Sequence, residues 1–296
     1  MVAEKIKGMP ERLQGTLLLV ITAMLWSSGG FFIKWVTWNP LAIAGIRSGI
    51  AGLFLWFFFR RPSLNWSFAQ FTGALAYAVT MLSFVAATKL TTAANAILLQ
   101  YTAPVYVAIL GIFFLKEKPH LYDWLTIAFV IGGMVLFFQD RVGTGGLYGN
   151  LLGIVSGISM AVMIVALRRQ KDGSPLGSVL LGNGLTFVCG LPFVFDNPPG
   201  AAGWAAIAGL GCLQLGLPYA LYTIAIKKVT ALEASVITVI EPILNPVWVF
   251  LFLGEVPGPW SLLGGAVILA AITARYILPV LKSSGAALSV DSRRSK

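Results

Sequence analysis

Apolar residues fill the chain in ten long blocks, and polar or charged residues gather in the short segments between them. Each block is about 20 residues long, the length that a helix needs to cross the hydrocarbon core of a bilayer. Blocks of this kind form helices, because backbone groups in lipid must satisfy one another. The pattern predicts ten transmembrane helices, at 14–35, 41–59, 68–88, 94–115, 121–139, 147–168, 175–195, 203–226, 232–253 and 259–281.

One stretch of the chain occurs twice, which indicates an internal duplication. Residues 89–119 match residues 227–257 in a single register without gaps. Nine positions are identical: Lys89 with Lys227, Thr92 with Thr230, Ala93 with Ala231, Ala96 with Ala234, Pro104 with Pro242, Phe114 with Phe252, Leu115 with Leu253, Glu117 with Glu255 and Pro119 with Pro257. Each half holds five predicted helices, and an odd number reverses the orientation of the second half. The pattern predicts an all-α integral membrane protein of two inverted five-helix repeats (5+5).

Charge indicates the orientation of these helices. Most of the 21 Lys and Arg fall on segments that share one side of the membrane if the helices alternate in direction. The positive-inside rule then places both termini in the cytoplasm. We expect a cytoplasmic N-terminus at 1–13, repeats at 14–142 and 147–281, and a disordered cytoplasmic tail at 282–296. Because the basic residues cap apolar blocks, we expect the lipid bilayer as partner and no nucleic acid.

The residues that carry enzyme chemistry are scarce. Charged residues make up 11% of the chain, against about 25% in soluble domains. His120 stands alone in a short loop, and Cys189 and Cys212 lie inside predicted membrane helices. The sequence contains no HExxH, phosphate-binding P-loop or G-x-S-x-G motif. We expect no enzyme activity, no cofactor, no metal site and no ATP-driven transport by this chain alone.

Three features together resemble the drug/metabolite transporter superfamily, EamA type. These are the two five-helix halves, the proline-bearing fourth helices that end in L-x-E-x-P at 115–119 and 253–257, and Arg47 early in the second block. The resemblance covers about residues 13 to 280. It implies a secondary transporter of the bacterial inner membrane that works by alternating access. Dimerisation is unneeded in a ten-helix bundle, so we expect a functional monomer. Within the superfamily the chain most resembles exporters of aromatic amino acids, which implies Phe, Trp and Tyr as substrates, with Met and Thr as further candidates.

Glu241 is an acidic residue near the centre of an apolar block. A charge there costs at least about 2.5–3.5 kcal/mol on insertion scales, so it should face a cavity or a partner. Thr238, Glu241 and Asn245 share one helix face. In a functional role, Glu241 contacts the ammonium group of a substrate or is the carboxylate that couples transport to protons. In a structural role, it hydrogen-bonds the backbone group that Pro242 leaves unpaired, or it pins a gate. The family often has Glu before both fourth-helix prolines, whereas Ala103 precedes the first one here.

Arg47 is the second charge embedded in an apolar block. We interpret it as a side chain that snorkels to the outer surface or caps a neighbouring helix end. Binding of a substrate carboxylate is the alternative.

Aromatic and methionine side chains with a few amide and hydroxyl groups suit a cavity for a partly apolar solute. Each of them taken singly also fits ordinary helix packing. The candidate cavity residues are Met24, Trp26, Ser27, Tyr77, Met81, Gln100, Tyr101, Met160, Met163, Gln214, Tyr219, Thr238, Glu241 and Asn245. Pro104, Pro218 and Pro242 are candidate hinges, or static kinks that shape the bundle.

Other classes of function remain open from the sequence. The protein could export another metabolite or a drug cation, with Glu241 as the counter-charge, or form a facilitative pore that needs no alternating gates. The glycine runs at 45–49 and 149–157 allow close helix contact, and we expect them to serve packing.

Overall fold

The computed structural model describes residues 9–58, 63–91, 93–139, 146–244, 258–260 and 262–275. All regular secondary structure within these ranges is helical. The expected tail at 282–296, most of the expected N-terminal segment and Glu255 of the repeated stretch lie outside the described residues.

The α-helices of the described chain follow one another in this order: α1 Glu11–Trp26, α2 Gly29–Trp35, α3 Pro40–Phe58, α4 Phe68–Leu90, α5 Ala93–Gln100, α6 Ala103–Phe114, α7 Leu121–Phe138, α8 Leu147–Arg169, α9 Pro175–Gly190, α10 Ala201–Gly209, α11 Leu217–Ala225, α12 Ala231–Ile237 and α13 Leu262–Arg275. A further helical segment at 240–244 comes after α12. A 3₁₀ turn, Leu191–Phe193, extends α9, and a π-helical segment, Leu210–Gly216, joins α10 to α11.

Six helical spans of the described chain are long and apolar enough to cross a membrane. They are Pro40–Phe58, Phe68–Leu90, Asn95–Phe114, Leu147–Arg169, Pro175–Phe193 and Ala201–Ala225. Helices α7 and α13 are apolar but shorter. The six spans fit the prediction of an all-helical membrane protein.

Three predicted membrane helices are interrupted shortly before a proline. The helix breaks at Tyr101–Thr102 before Pro104 and at Thr238–Val239 before Pro242, and it widens into the π segment before Pro218. A proline has no N–H for the carbonyl four residues earlier, and its ring clashes with that carbonyl. The carbonyls concerned belong to Gln100, Gln214 and Thr238.

The first predicted membrane helix is also interrupted: α1 ends at Trp26, and α2 starts at Gly29. Ser27 and Ser28 lie between them, and their hydroxyls donate to the carbonyls of Met24 at 2.6 Å and Leu25 at 2.9 Å. Such side-chain bonds compete with the helical ladder and bend helices.

Helix α4 lies centrally and packs against α8 and α9, while α9 also packs against α3. Helix α1 packs against α11, the π segment against α3, and α12 against α6. Small residues mark the closest crossings: a Cβ atom on Gly45 would lie 2.7 Å from the Cα of Gly190, and one on Gly157 would lie 2.8 Å from the Leu99 carbonyl oxygen. The expectation that the glycine runs serve close packing is confirmed.

Candidate functional site

A small cavity of about 40 Å³ lies where several helices meet, roughly half-way along their spans. It receives side chains from α1, α3, α4, α5, α8, the π segment and α11, and from the chain just after α12. Its lining residues are Trp26, Arg47, Thr80, Met81, Phe84, Gln100, Met160, Gln214, Leu215, Tyr219 and Glu241. Both embedded charges singled out in the sequence therefore face one enclosed space.

Arg47 supplies the positive charge of this cavity. Its side chain is 1% exposed, and its Nη1 donates to Oε1 of Gln214 at 3.2 Å. Its Nη2 lies 3.7 Å from the sulfur of Met81, and its Nε has no hydrogen-bond partner. The interpretation of Arg47 as a snorkelling or helix-capping residue is wrong, because the guanidinium is enclosed and these partners are side chains from other helices.

Glu241 supplies the negative charge. The Tyr101 hydroxyl donates to Oε2 of Glu241 and also to the carbonyl oxygen of Thr238, at 3.1 Å for the latter. That carbonyl is the one that Pro242 leaves without its regular donor. Tyr101, together with the backbone N–H of Glu241 at 3.0 Å, thus satisfies it. The Glu241 carboxylate accepts from Tyr101 and lines the cavity.

An aromatic wall closes one side of the cavity. The ring of Tyr219 lies 5.1 Å from that of Trp26, 4.8 Å from that of Tyr77 and 6.1 Å from that of Tyr222, measured between centroids. Tilted contacts at these distances are favourable for aromatic rings. The Tyr77 hydroxyl donates to Oδ1 of Asn183 at 3.1 Å, which ties this wall to α9.

The cavity lining also contains the amide of Gln100 and the side chain of Thr80. Nε2 of Gln100 donates to the Ser156 hydroxyl at 2.7 Å, and that hydroxyl donates to the Thr80 carbonyl at 3.3 Å. This relay joins α5, α8 and α4 beside the cavity, so the Gln100 side chain is held in one orientation.

The predicted site residues divide into two groups. Those that line the cavity are Trp26, Met81, Gln100, Met160, Gln214, Tyr219 and Glu241. Those buried one layer behind are Tyr77, Tyr101, Met163 and Thr238. The second group holds the first in place, as in the contact between the Tyr219 hydroxyl and the Met163 sulfur at 3.8 Å.

Two predicted cavity residues lie elsewhere, and one is not described. Met24 is 44% exposed and faces outward, because residues two apart on a helix point to nearly opposite faces and Trp26 points inward. Ser27 is buried, but its hydroxyl bonds the Met24 carbonyl and does not line the cavity. Asn245 lies outside the described residues.

Four lining residues are not among the fourteen candidate cavity residues: Arg47, for which carboxylate binding was the alternative, Phe84, which shares the stripe of Tyr77 and Met81, and Thr80 and Leu215. Thr80 and Phe84 share a helix face with Tyr77 and Met81, so the helical repeat carried a signal for them. The sequence carried no such signal for Leu215, because the direction of its side chain depends on the π segment.

A second cavity, of about 400 Å³, lies at one end of the bundle and is lined by ion pairs. Nε of Arg275 lies 2.8 Å from Oδ1 of Asp123, and Nη1 of Arg275 lies 3.7 Å from Oε1 of Glu233. Glu233 also pairs with Arg12, and its carboxylate completes the capping box of α12. These contacts join α1, α7, α12 and α13 at this end.

Glu117 of the repeated motif belongs to the same end of the molecule. Its carboxylate accepts from Nε of Arg168 and from the backbone N–H of Ala231, both at 2.9 Å. The L-x-E-x-P motif of the first half therefore contacts the start of α12 in the second.

Comparison with known proteins relates the whole chain to membrane transporters. The model of the EamA-like transporter family matches it twice, over residues 13–139 and 147–275. An uncharacterized transporter of Archaeoglobus fulgidus is 28% identical over 260 residues, which cover 87% of this chain and 94% of that protein.

Two relatives carry names that state a substrate. The threonine/homoserine exporter RhtA of Escherichia coli is 27% identical over 284 residues, covering 90% of this chain and 92% of that protein. The pseudopaline exporter CntI of Pseudomonas aeruginosa is 23% identical over 186 residues, covering 61% of this chain and 65% of that protein. A solved crystal structure superposes with a TM-score of 0.77 over 90% of this chain and 99% of its own, at 18% identity, which shows a shared fold.

Proposed function

Because the chain belongs to the EamA-like transporter family, we propose that this multi-pass membrane protein is a secondary transporter that exports amino acids across the bacterial inner membrane. Aromatic amino acids such as Phe, Trp and Tyr are the proposed substrates, with Met and Thr as further ones. The observation that carries the proposal is a central cavity that combines an aromatic and methionine wall with one cation, Arg47, and one carboxylate, Glu241.

The chemistry of this cavity matches a zwitterion with an apolar side chain. Arg47 and Glu241 both line it, and no ion pair joins the two in the described part of the chain. The rings of Trp26, Phe84 and Tyr219 provide apolar surface beside these charges. The relative RhtA is named for export of threonine and homoserine, which supports an amino acid as the substrate class.

We further propose that the chain forms ten transmembrane helices as two inverted repeats, 14–142 and 147–281. Contacts between the halves support this arrangement because they come in exchanged pairs. Helix α4 on α8 corresponds to α11 on α1, and α4 on α9 corresponds to the π segment on α3. An internal two-fold axis requires such pairs. Both termini are then cytoplasmic by the charge bias, and a monomer contains the complete cavity.

The size of the cavity supports alternating access. Its volume of about 40 Å³ is far below the 300–1,000 Å³ of typical ligand pockets. A solute therefore enters only if the surrounding helices move. The interruptions before Pro104, Pro218 and Pro242 lie beside the cavity, where a change in backbone angle moves the lining directly.

Two other functions agree less well with these features. For export of a drug cation Glu241 is the natural counter-charge, but Arg47 in the same cavity repels a cation. A facilitative pore needs a continuous path, whereas the central cavity is narrow and ringed by packed side chains.

The test is counterflow in proteoliposomes that contain the purified chain. Liposomes loaded with unlabelled Phe, Trp, Met or Thr, or with a drug cation, are assayed for uptake of the labelled counterpart, with and without a pH gradient. We expect saturable uptake of Phe and Trp. Uptake of the cation alone would contradict the amino acid assignment, and uptake that does not saturate would indicate a pore.

A further inference from the structure

Within the described part of the chain, the buried guanidinium of Arg47 makes hydrogen-bond contacts with neutral groups only. Its contacts among the described residues are the amide oxygen of Gln214 at 3.2 Å and the thioether of Met81 at 3.7 Å, and its Nε is unsatisfied. Methionine sulfur is a weak acceptor. A charge that is removed from water normally has an opposite charge and a full set of hydrogen bonds, because its desolvation is otherwise uncompensated.

A group that satisfies the Arg47 guanidinium must have a particular chemistry. A guanidinium presents its N–H groups as a planar fork that matches the two oxygens of a carboxylate. In Arg47 this fork lines the central cavity, so a ligand there meets it directly. Glu241 lines the same cavity, but its carboxylate accepts from Tyr101.

We propose that Arg47 binds the carboxylate of the transported solute. The solute oxygens replace the Met81 sulfur and the Gln214 amide as acceptors and satisfy Nε. The inference rests on the proposed function, because it takes the central cavity as the solute-binding site. It restricts the transported solutes to those that carry a carboxylate. For an α-amino acid, the ammonium group then lies toward Glu241.

The neighbourhood of Gln214 is suited to such an exchange. This residue lies in the π segment, and π-helical turns occur frequently at functional sites. A Cβ atom on Gly29 would lie 2.5 Å from Nε2 of Gln214, so the amide occupies space that the glycine leaves free. Gln214 is thus placed against Arg47 by Gly29 while its backbone lies in a widened helical turn.

The experiment measures binding to the full-length chain in detergent with three matched probes. Phenylalanine carries both charges, 3-phenylpropanoate only the carboxylate, and phenethylamine only the ammonium group. We expect Arg47→Gln to bind the first two about 10- to 100-fold more weakly than the wild type, the usual range for a hydrogen bond to a charged group. Affinity for phenethylamine should stay equal or rise. Wild-type affinity of Arg47→Gln for phenylpropanoate would overturn the proposal.

A second variant keeps Arg47 and tests the same point if Arg47→Gln fails to fold. Gln214→Glu puts a carboxylate where the amide oxygen lies 3.2 Å from Nη1. This internal anion competes with the solute, so we expect loss of phenylpropanoate binding with an equal or higher melting temperature. A purely structural Arg47 predicts unchanged binding, and that result would contradict the proposal.

The matched control is Gln70→Glu, the same substitution at a buried glutamine away from the cavity. Oε1 of Gln70 accepts from the backbone N–H groups of Asn65 at 3.0 Å and Trp66 at 2.9 Å, which a carboxylate oxygen keeps, whereas the weaker bond from Nε2 to the Ser63 carbonyl at 3.4 Å is lost. We expect wild-type binding of all three probes. Repeating the titrations in methanesulfonate and in chloride tests for competition by an inorganic anion. Chloride that weakens phenylpropanoate binding equally in the wild type and in Arg47→Gln would place the anion site away from Arg47 and contradict the proposal.

The outcomes separate this inference from the proposed function. Counterflow of Phe together with wild-type binding by Arg47→Gln would leave the transporter assignment intact and remove the role of Arg47. Arg47-dependent binding of phenylpropanoate without counterflow of any amino acid would support Arg47 as a carboxylate site and refute amino acid export.

Discussion

The hydroxyl of Tyr101 joins the two halves of the molecule beside the cavity. It donates to the Glu241 carboxylate and to the Thr238 carbonyl, so one side chain of the first half satisfies two acceptors of the second. Both acceptors lie at the interruption before Pro242. A single phenol thus stabilises a broken helix and orients the carboxylate of the site.

Replacing this hydroxyl has a predictable cost. Tyr101→Phe removes the hydroxyl donor of the Glu241 carboxylate and leaves the Thr238 carbonyl with the Glu241 N–H alone, which should lower the free energy of unfolding by about 1–3 kcal/mol. Unfolding monitored by circular dichroism during denaturant titration measures the change. Tyr106→Phe on the next helix is the control, because the Tyr106 hydroxyl donates to no described residue. Equal losses in the two variants would show that the hydroxyl of Tyr101 contributes nothing specific.

At the scale of elements, prolines set where the membrane helices are interrupted, and glycines set where they cross. The residues four positions before Pro104 and Pro218 are Gln100 and Gln214, and both line the cavity. The helix breaks therefore coincide with the polar part of the site. Away from the cavity, α3 and α9 meet at Gly45 and Gly190 with almost no space between their backbones.

Pro242→Ala tests whether an interruption serves motion. Alanine supplies the N–H that lets a regular helix run through Thr238, so we expect slower counterflow at an equal or higher melting temperature. Pro175→Ala is the control, since Pro175 is at the first turn of α9, where an N–H has no helical partner. If Pro242→Ala transports at the wild-type rate, the interruption is a static kink.

The crossing of α3 and α9 is tested by one added methyl group. The Cβ of Gly190→Ala would lie 2.6 Å from the Cα of Gly45, so the helices must separate, at a cost of about 1–3 kcal/mol. Gly184→Ala in the same helix is the control, because nothing lies within 4 Å of its added atom. Thermal unfolding followed by size exclusion compares them, and matching midpoints would be inconsistent with the tight crossing.

At the scale of the whole molecule, the central cavity is small, whereas one end holds a larger cavity ringed by ion pairs. In the orientation proposed from the charge bias, this end faces the cytoplasm. Arg275 links Asp123 of α7 to Glu233 of α12 there, and Arg168 links Glu117 to the second half. In an alternating-access cycle, these contacts separate whenever this end opens.

Removing Arg275 should weaken this end specifically. Arg275→Gln leaves the buried Asp123 carboxylate, 6% exposed at its side chain, without its cation, at a cost of about 3–5 kcal/mol if the fold does not relax. We expect faster hydrogen exchange at the starts of α7 and α12, with the α3–α9 crossing unchanged. Arg275→Lys is the control, because it keeps the charge. Uniformly faster exchange throughout the chain would contradict a local role.

The apolar blocks and the prolines determined most of the helix boundaries from sequence. Predicted and observed limits of α3, α4, α7 and α8 agree within about two residues, because a span in lipid must be long, apolar and internally hydrogen-bonded. Interruptions before Pro104 and Pro242 were predictable for a local reason, since a missing N–H acts on a carbonyl four residues away.

Only the tertiary structure decided which side of each helix faces the site. Helices in lipid are apolar all round, and lipid tails are as apolar as the protein interior, so no polar stripe separates the two faces. Met24 and Trp26 look alike in the sequence, yet one is exposed and the other lines the cavity. The surroundings of Arg47 likewise depend on α4 and the π segment meeting α3. Such a contact arises from packing between distant segments, which local patterns do not contain.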